Sequence, residues 1–150
     1  MKLELKNIKH TSWASEETHC YQASLYVDGK PFAIVSNDGQ GGSDRDYPHP
    51  KFKGDYRAQM RDVSRYFSGL RRTAVTEWSP EGMEQCLEFW CADQVNDWLS
   101  ARDLKKSYVY HFADGAGMFA HKLRPASTVA VVLNDLPFDE ALSIWKETAL

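Results

Sequence analysis

The 150-residue chain is 43% hydrophobic and 26% charged, which are the proportions of a globular domain and exclude a disordered chain. A formal net charge of −3 argues against a general coat for nucleic acid. No apolar run approaches the roughly 20 residues needed to span a bilayer. The length is that of one domain, so residues 1–150 are expected to share a single core. The first ten residues, MKLELKNIKH, contain no apolar h-region, and no secretory signal is expected. Cys20, Cys86 and Cys91 are an odd set without CxxC spacing, as expected of free thiols in a reducing cytoplasm.

From Lys2 to Ile8, Leu3 and Leu5 alternate with Lys2, Glu4 and Lys6, the pattern of a half-exposed strand. The connection His10–Ser15 follows, with Trp13 expected to pack inward. Two alternating runs then flank Asp28-Gly29, a pair that accepts the left-handed angles of a two-residue primed turn. If these two residues are the whole turn, cross-strand partners sum to 57 in residue number. Leu25 then faces Phe32, Ala23 faces Ile34 and Tyr21 faces Ser36. The same pairing lays Ser15-Glu16-Glu17-Thr18 beside Asn37-Asp38-Gly39-Gln40-Gly41-Gly42. Asn37 to about Gly54 reads as a long loop holding four of the nine glycines, and loops of that length are usually functional or mobile.

Asp55 is placed to cap a helix running to about Leu70, with Tyr56, Met60, Val63, Phe67 and Leu70 at helical spacing as its core face. Arg57, Arg61 and Arg65 recur every fourth residue on a neighbouring face. Between Arg45 and Arg72, eight Lys and Arg stand against three Asp, a local net charge of +5. Ser79-Pro80 has the form of an N-cap and first helical position, predicting a second, acidic helix from about Pro80 to Leu104. Its apolar stripe is Met83, Leu87, Trp90, Cys91, Val95, Trp98 and Leu99. Tyr108–Phe112 reads as a strand, Asp114-Gly115 as a turn, Met118–Leu123 as the returning strand and Thr128–Leu133 as a buried strand. Asn134 or Asp135 is expected to cap a last helix that docks through Phe138, Leu142 and Trp145. Trp78, Trp90, Trp98 and Trp145 are expected in the core. The fold class expected is α+β: an antiparallel sheet, built from the N-terminal meander and the later strands, packed on two or three helices.

Three constellations carry chemistry. Glu16, Glu17, Asp38, Asp44 and Asp46 gather at the open end of the hairpin, and a hard divalent cation needs several such oxygens. Asp44-Arg45-Asp46 nevertheless lacks the Gly and distal Glu of an EF-hand loop. The alternative is a turn with solvated acids. Gly39, Gly41 and Gly42 can expose backbone N–H groups to an anion, yet no Walker or dinucleotide fingerprint is present and no helix begins directly after them. The Arg57/Arg61/Arg65 stripe suits phosphates or an acidic protein surface, or else solvates its helix and pairs with the acidic second helix. His10, His19, His49, His111 and His121 have no metal-ligand spacing. A thiol–imidazole pair from Cys20 and His49 would need the loop to bring them together.

The segments Ser15-Glu16-Glu17-Thr18, Tyr26-Val27-Asp28-Gly29-Lys30 and Ser36-Asn37-Asp38-Gly39-x-Gly41-Gly42 resemble a family of small proteins of bacteria, their phages and plasmids, for which no activity is assigned. The resemblance covers roughly residues 1–45. It implies a setting among the accessory genes of mobile elements and carries over no catalytic residue. It also implies a cysteine after the glycine pair, where this chain has Ser43. The function expected is a non-enzymatic, cytoplasmic interaction factor that needs no cofactor. It would bind a protein partner through Asn37, Asp38, Gly39, Gly41 and Gly42 of the loop and Arg57, Arg61 and Arg65 of the helix. One alternative is a metal-dependent hydrolase or phosphodiesterase with a divalent cation on Glu16, Glu17, Asp38 and Asp44. The other is a nucleic-acid binder that uses the arginine stripe.

Overall fold

The structure, a computed structural model, describes residues 1–70, 82–112, 117–125 and 130–148. It is α+β, and its strands fall into two antiparallel sheets where the sequence pattern joins them in one. The chain divides into two compact units, Met1–Gln94 and Val95–Leu150. No helix among the described residues is long and apolar enough to cross a membrane.

The first unit is built on a four-stranded meander, β1 (Leu3–His10), β2 (Cys20–Val27), β3 (Lys30–Asp38) and β4 (Arg45–Pro48), in that spatial order. Asp28 and Gly29 form the turn, with φ of +48° and +78°, the left-handed pair that a primed turn requires. The predicted register holds only for the pairs nearest the turn, Val27 with Lys30 and Tyr26 with Pro31. A bulge then slips the pairing by one, so Leu25 faces Ala33, Ala23 faces Val35 and Tyr21 faces Asn37. The bulge adds one residue to β3, Phe32, which is buried like Ala33 after it. Phe32 spends the extra residue on an aromatic cluster. It stacks on Tyr56 at 5.1 Å and meets Phe52 edge-on at 5.3 Å.

Part of the expected long loop is strand. Arg45–Pro48 pairs with Ala33–Ser36, dividing the expected loop into two short connections, residues 39–44 and 49–54. An uninterrupted 18-residue loop would have left many backbone groups unpaired, and β4 satisfies them. Trp13 is the other correction. It lies in a 3₁₀ turn at Ser12–Ala14 and is 88% exposed.

Helix α1 (Tyr56–Phe67) begins as expected, with the Asp55 carboxylate accepting the Ala58 N–H at 2.9 Å. Val63 and Phe67 are buried, while Leu70 lies beyond the helix and is exposed. Asp55→Ala is expected to lower stability by about 1 kcal/mol in urea titration; an unchanged midpoint would show the cap to be idle. Helix α2 (Leu87–Lys106) starts later than predicted. Residues 82–86 are not helical, and the Gln85 N–H donates to the Leu70 carbonyl at 2.8 Å. Trp78 and Ser79-Pro80 lie outside the described residues.

In the second unit, β5 (Tyr108–Phe112) is central, between β6 (Met118–His121) and β7 (Ala130–Val132). Asp114-Gly115 and Thr128 lie outside the described residues. Leu104, Val109, Leu133 and Ala141 form the core, with Leu142, Ile144 and Trp145 of α3 (Phe138–Thr148) packed against it. Asn134 does not cap α3. Its amide accepts the Val109 N–H at 2.7 Å and donates to the Leu104 and Ser107 carbonyls at 2.8 and 3.0 Å. It thereby ties the end of α2 to β5, a position that leaves no reach to the start of α3. Phe138 is exposed rather than docked, with the Lys105 ammonium 5.4 Å from its ring.

Candidate functional site

The open end of the hairpin is locked as the register implies, and Gly39 is its hinge point. The Gly39 carbonyl accepts the N–H groups of Glu16 and Glu17 at 3.0 Å each and of Thr18 at 3.4 Å. The Ser15–Thr18 and Asn37–Gly42 segments are therefore joined through backbone. Gly39 has φ +87°, and a Cβ placed there would lie 2.0 Å from the Ala14 carbonyl oxygen. Only glycine fits both the angle and the approach.

Asn37 is the second fastener. Its side-chain oxygen accepts from the Thr18 hydroxyl at 2.7 Å and from the Gly39 N–H at 2.9 Å. Its nitrogen donates to the Gly42 carbonyl at 2.7 Å and to Asp44 at 2.9 Å. Asn37 is buried with all its side-chain capacity used, so it holds the loop and has nothing left to offer a ligand. Asp44 also accepts from the Tyr21 hydroxyl. Burial, offset by these two donors, raises the Asp44 carboxyl above the ordinary carboxylate range. Burial drives the Tyr21 hydroxyl far upward, with the Cys91 thiol and Asp44 adding to it. The fully buried Cys91 thiol is pushed up by the same burial and by Asp44. No buried side-chain nitrogen or oxygen among the described residues lacks a partner.

The five acids predicted as a cluster are used separately. Asp38 pairs with Arg45 at 2.9 Å, Asp44 turns inward to Tyr21 and Asn37, and Asp46 accepts from the Tyr56 hydroxyl at 2.5 Å. The Glu17 carboxylate lies over Gly41, whose added Cβ would fall 2.1 Å from Glu17 Oε2. Glu16 is exposed. Among the described residues, no three His, Cys, Asp or Glu are gathered so as to hold a metal ion.

The histidines beside this lock do not make a nucleophile of Ser15. His10 Nε2 lies 3.3 Å from both His19 Nδ1 and Ser15 Oγ. However, the Ser15 hydroxyl donates to the Thr11 carbonyl at 2.9 Å and accepts the Cys20 N–H at 2.9 Å. Its proton is committed to backbone, away from the imidazole, whereas a general base must face that proton. Cys20 and His49 are not paired: His49 Nδ1 accepts the Lys51 N–H at 3.1 Å, and its ring lies beside Tyr26 near the far end of β2.

The arginine helix carries the open surface. Arg57, Arg61 and Arg65 are all exposed. Arg65 pairs with Asp62 of its own helix at 3.0 Å, whereas Arg57 and Arg61 have no carboxylate partner among the described residues. Among the described residues no ion pair joins the three arginines to α2, where Asp97 is taken by Lys146 and Asp103 by Arg102. Arg57 and Arg61 line an open groove of about 380 Å³ with Tyr56, Met60 and Ser64. Tyr56 connects this groove to the hairpin, since it stacks on Phe32 and hydrogen-bonds Asp46 of β4. Sequence reasoning found the arginines but not which two are unpaired. It also missed Trp13, whose stretch has no periodic pattern to place a face.

Comparison of the chain with protein-family models, with curated proteins and with solved structures finds no match in any of the three.

Proposed function

We propose that the protein is a non-enzymatic interaction factor whose docking site is the α1 groove, taking an acidic segment of a protein partner. The observation that carries this reading is the pair of exposed guanidiniums, Arg57 and Arg61, which have no carboxylate partner among the described residues and line a groove with the partly buried Tyr56 and Met60. Guanidiniums one helical turn apart can each fork onto a carboxylate, and an apolar floor supplies the area that charge alone lacks. The glycine loop has a different part. The Asn37 side chain and the Gly39 carbonyl are committed within it, so it positions β4 and, through Asp46, the groove residue Tyr56. A cytoplasmic accessory role in a phage or plasmid, suggested by the resemblance of the first 45 or so residues, agrees with a small protein of this kind.

The test is fluorescence anisotropy with labelled acidic peptides that contain one aromatic residue. Arg57→Ala/Arg61→Ala is expected to weaken binding at least about tenfold, from the loss of two charge-assisted contacts, with the thermal midpoint unchanged. Equal affinity in the double variant would sink the reading. Retardation of DNA or RNA would instead favour a nucleic-acid ligand. With two unpaired arginines, the salt slope of such binding should not exceed about 2 in log–log form.

A further inference from the structure

We infer that the occupant of the α1 groove is the Ser12–Glu17 tip of a second copy of this chain, an inference that rests on the groove being a docking site. Trp13 stands at the head of the tip with 88% of its surface in solvent, more than any other large hydrophobic side chain among the described residues. An exposed tryptophan is unusual for a residue that carries so much apolar area, and interface energies concentrate in such side chains.

The tip is held rigid before anything binds. Ala14 abuts Gly39 so closely that a Cβ there would come within 2.0 Å of the Ala14 oxygen. The following Glu16, Glu17 and Thr18 N–H groups all point at one carbonyl, and the Ser15 hydroxyl bridges Thr11 and Cys20. A side chain mounted on such a turn loses little backbone freedom on docking.

Charge completes the match. Glu16 and Glu17, three and four residues after Trp13, are exposed and have no cationic partner among the described residues, while Arg57 and Arg61 line the groove beside Tyr56 and Met60. The groove, at about 380 Å³, is within the range of pockets that take a small organic group. An indole on its floor would set two glutamates against two unpaired arginines. Tip and groove are different surfaces, so the contact is heterologous: in a pair, one copy keeps its groove free and the other its tip. The patch is small beside a stable interface, which makes the association weak and reversible. An acidic partner segment would compete with the tip for the same arginines.

Sedimentation velocity of the full chain over a concentration series tests this. The wild type is expected to show a weight-average sedimentation coefficient that rises with concentration and falls back with salt. Trp13→Ala should weaken association roughly tenfold or more. Glu16→Lys/Glu17→Lys has a basic tip and a basic groove, and Arg57→Glu/Arg61→Glu has an acidic tip and an acidic groove. Each should be monomeric alone. Their mixture should associate, because each tip then meets a groove of opposite sign. A mixture that stays monomeric, or a Trp13→Ala chain that associates like the wild type, would overturn the inference. If the wild type stays monomeric yet takes an acidic aromatic peptide through Arg57 and Arg61, self-association falls and the docking groove stands. If it does neither, both fall.

Discussion

Gly39→Ala is expected to cost about 2–5 kcal/mol, the largest effect among the three glycines of the hairpin's open end. Two penalties combine. A left-handed backbone at φ +87° disfavours any side chain by about 1–2 kcal/mol, and the new Cβ would lie 2.0 Å from backbone, at Ala14, rather than against a movable side-chain tip. Relieving that overlap must shift the 3₁₀ turn or the loop, at a further cost of about 1–3 kcal/mol. Neighbouring glycines provide the contrast. Gly41→Ala, at φ +80°, meets the Glu17 side chain, whose closest atom is its terminal Oε2, and no backbone, and should cost about 1–2 kcal/mol. Gly42→Ala meets nothing within 4 Å and should stay within about 0.5 kcal/mol. Urea unfolding of the three variants would reject the lock if their order were not Gly39, Gly41, Gly42.

Alkali is expected to unfold the first unit well before the ordinary limit for a globular domain. In the unfolded chain, a cysteine titrates near pH 8.5 and a tyrosine near pH 10. In the native state, burial and Asp44 hold Cys91 far above that, and burial with Cys91 and Asp44 does the same for Tyr21. Native protein therefore keeps protons that the unfolded chain has released. The stabilisation is complete below about pH 8.5 and is lost as pH rises toward the native values. The slope is about 1.4 kcal/mol per pH unit from Cys91, and about twice that once Tyr21 joins above pH 10. Burial beside Asp46 raises Tyr56 in the same direction. Thermal midpoints measured under reducing conditions from pH 7 to 11 should fall in two stages, and Cys91→Ala should remove the first. A flat profile to pH 10.5 would contradict the native burial of the thiol. Asp44 follows the same sign in the acid range. Its raised carboxyl favours the protonated native form, so acid loosening is not expected to begin there.

Local pattern was enough for the elements that depend on neighbours in sequence. Asp28-Gly29 announced its turn because few other pairs accept two left-handed residues. Asp55 announced α1 because a carboxylate three residues before a free N–H is a short-range fit. Tyr108–Phe112 was readable to the residue as a run of β-branched and aromatic side chains. The candidate site was legible in part. The meeting of Ser15–Thr18 with Asn37–Gly42 follows from any register near the correct one, so a slip of one residue did not hide it. The α1 arginines stood out by their spacing.

What the sequence by itself determined is thus the α+β class, the turn, the cap and the joining of the two hairpin-end segments, all set by backbone angles and short-range hydrogen bonds. The bulge at Phe32 was decided by tertiary structure, because its extra residue packs on Phe52 and Tyr56, contacts that local pattern does not carry. The division of the strands into two sheets and the inward turn of Asp44 toward Tyr21 were decided there as well. So was the outward placement of Trp13, through the close approach of Ala14 to Gly39, two residues far apart in the chain. The distinction that matters most for function is also of this kind. Arg65 finds a carboxylate in the preceding turn of its own helix, at Asp62, whereas Arg57 and Arg61 do not. A charge's partner is settled by what the fold brings within about 4 Å, not by the residues beside it in sequence.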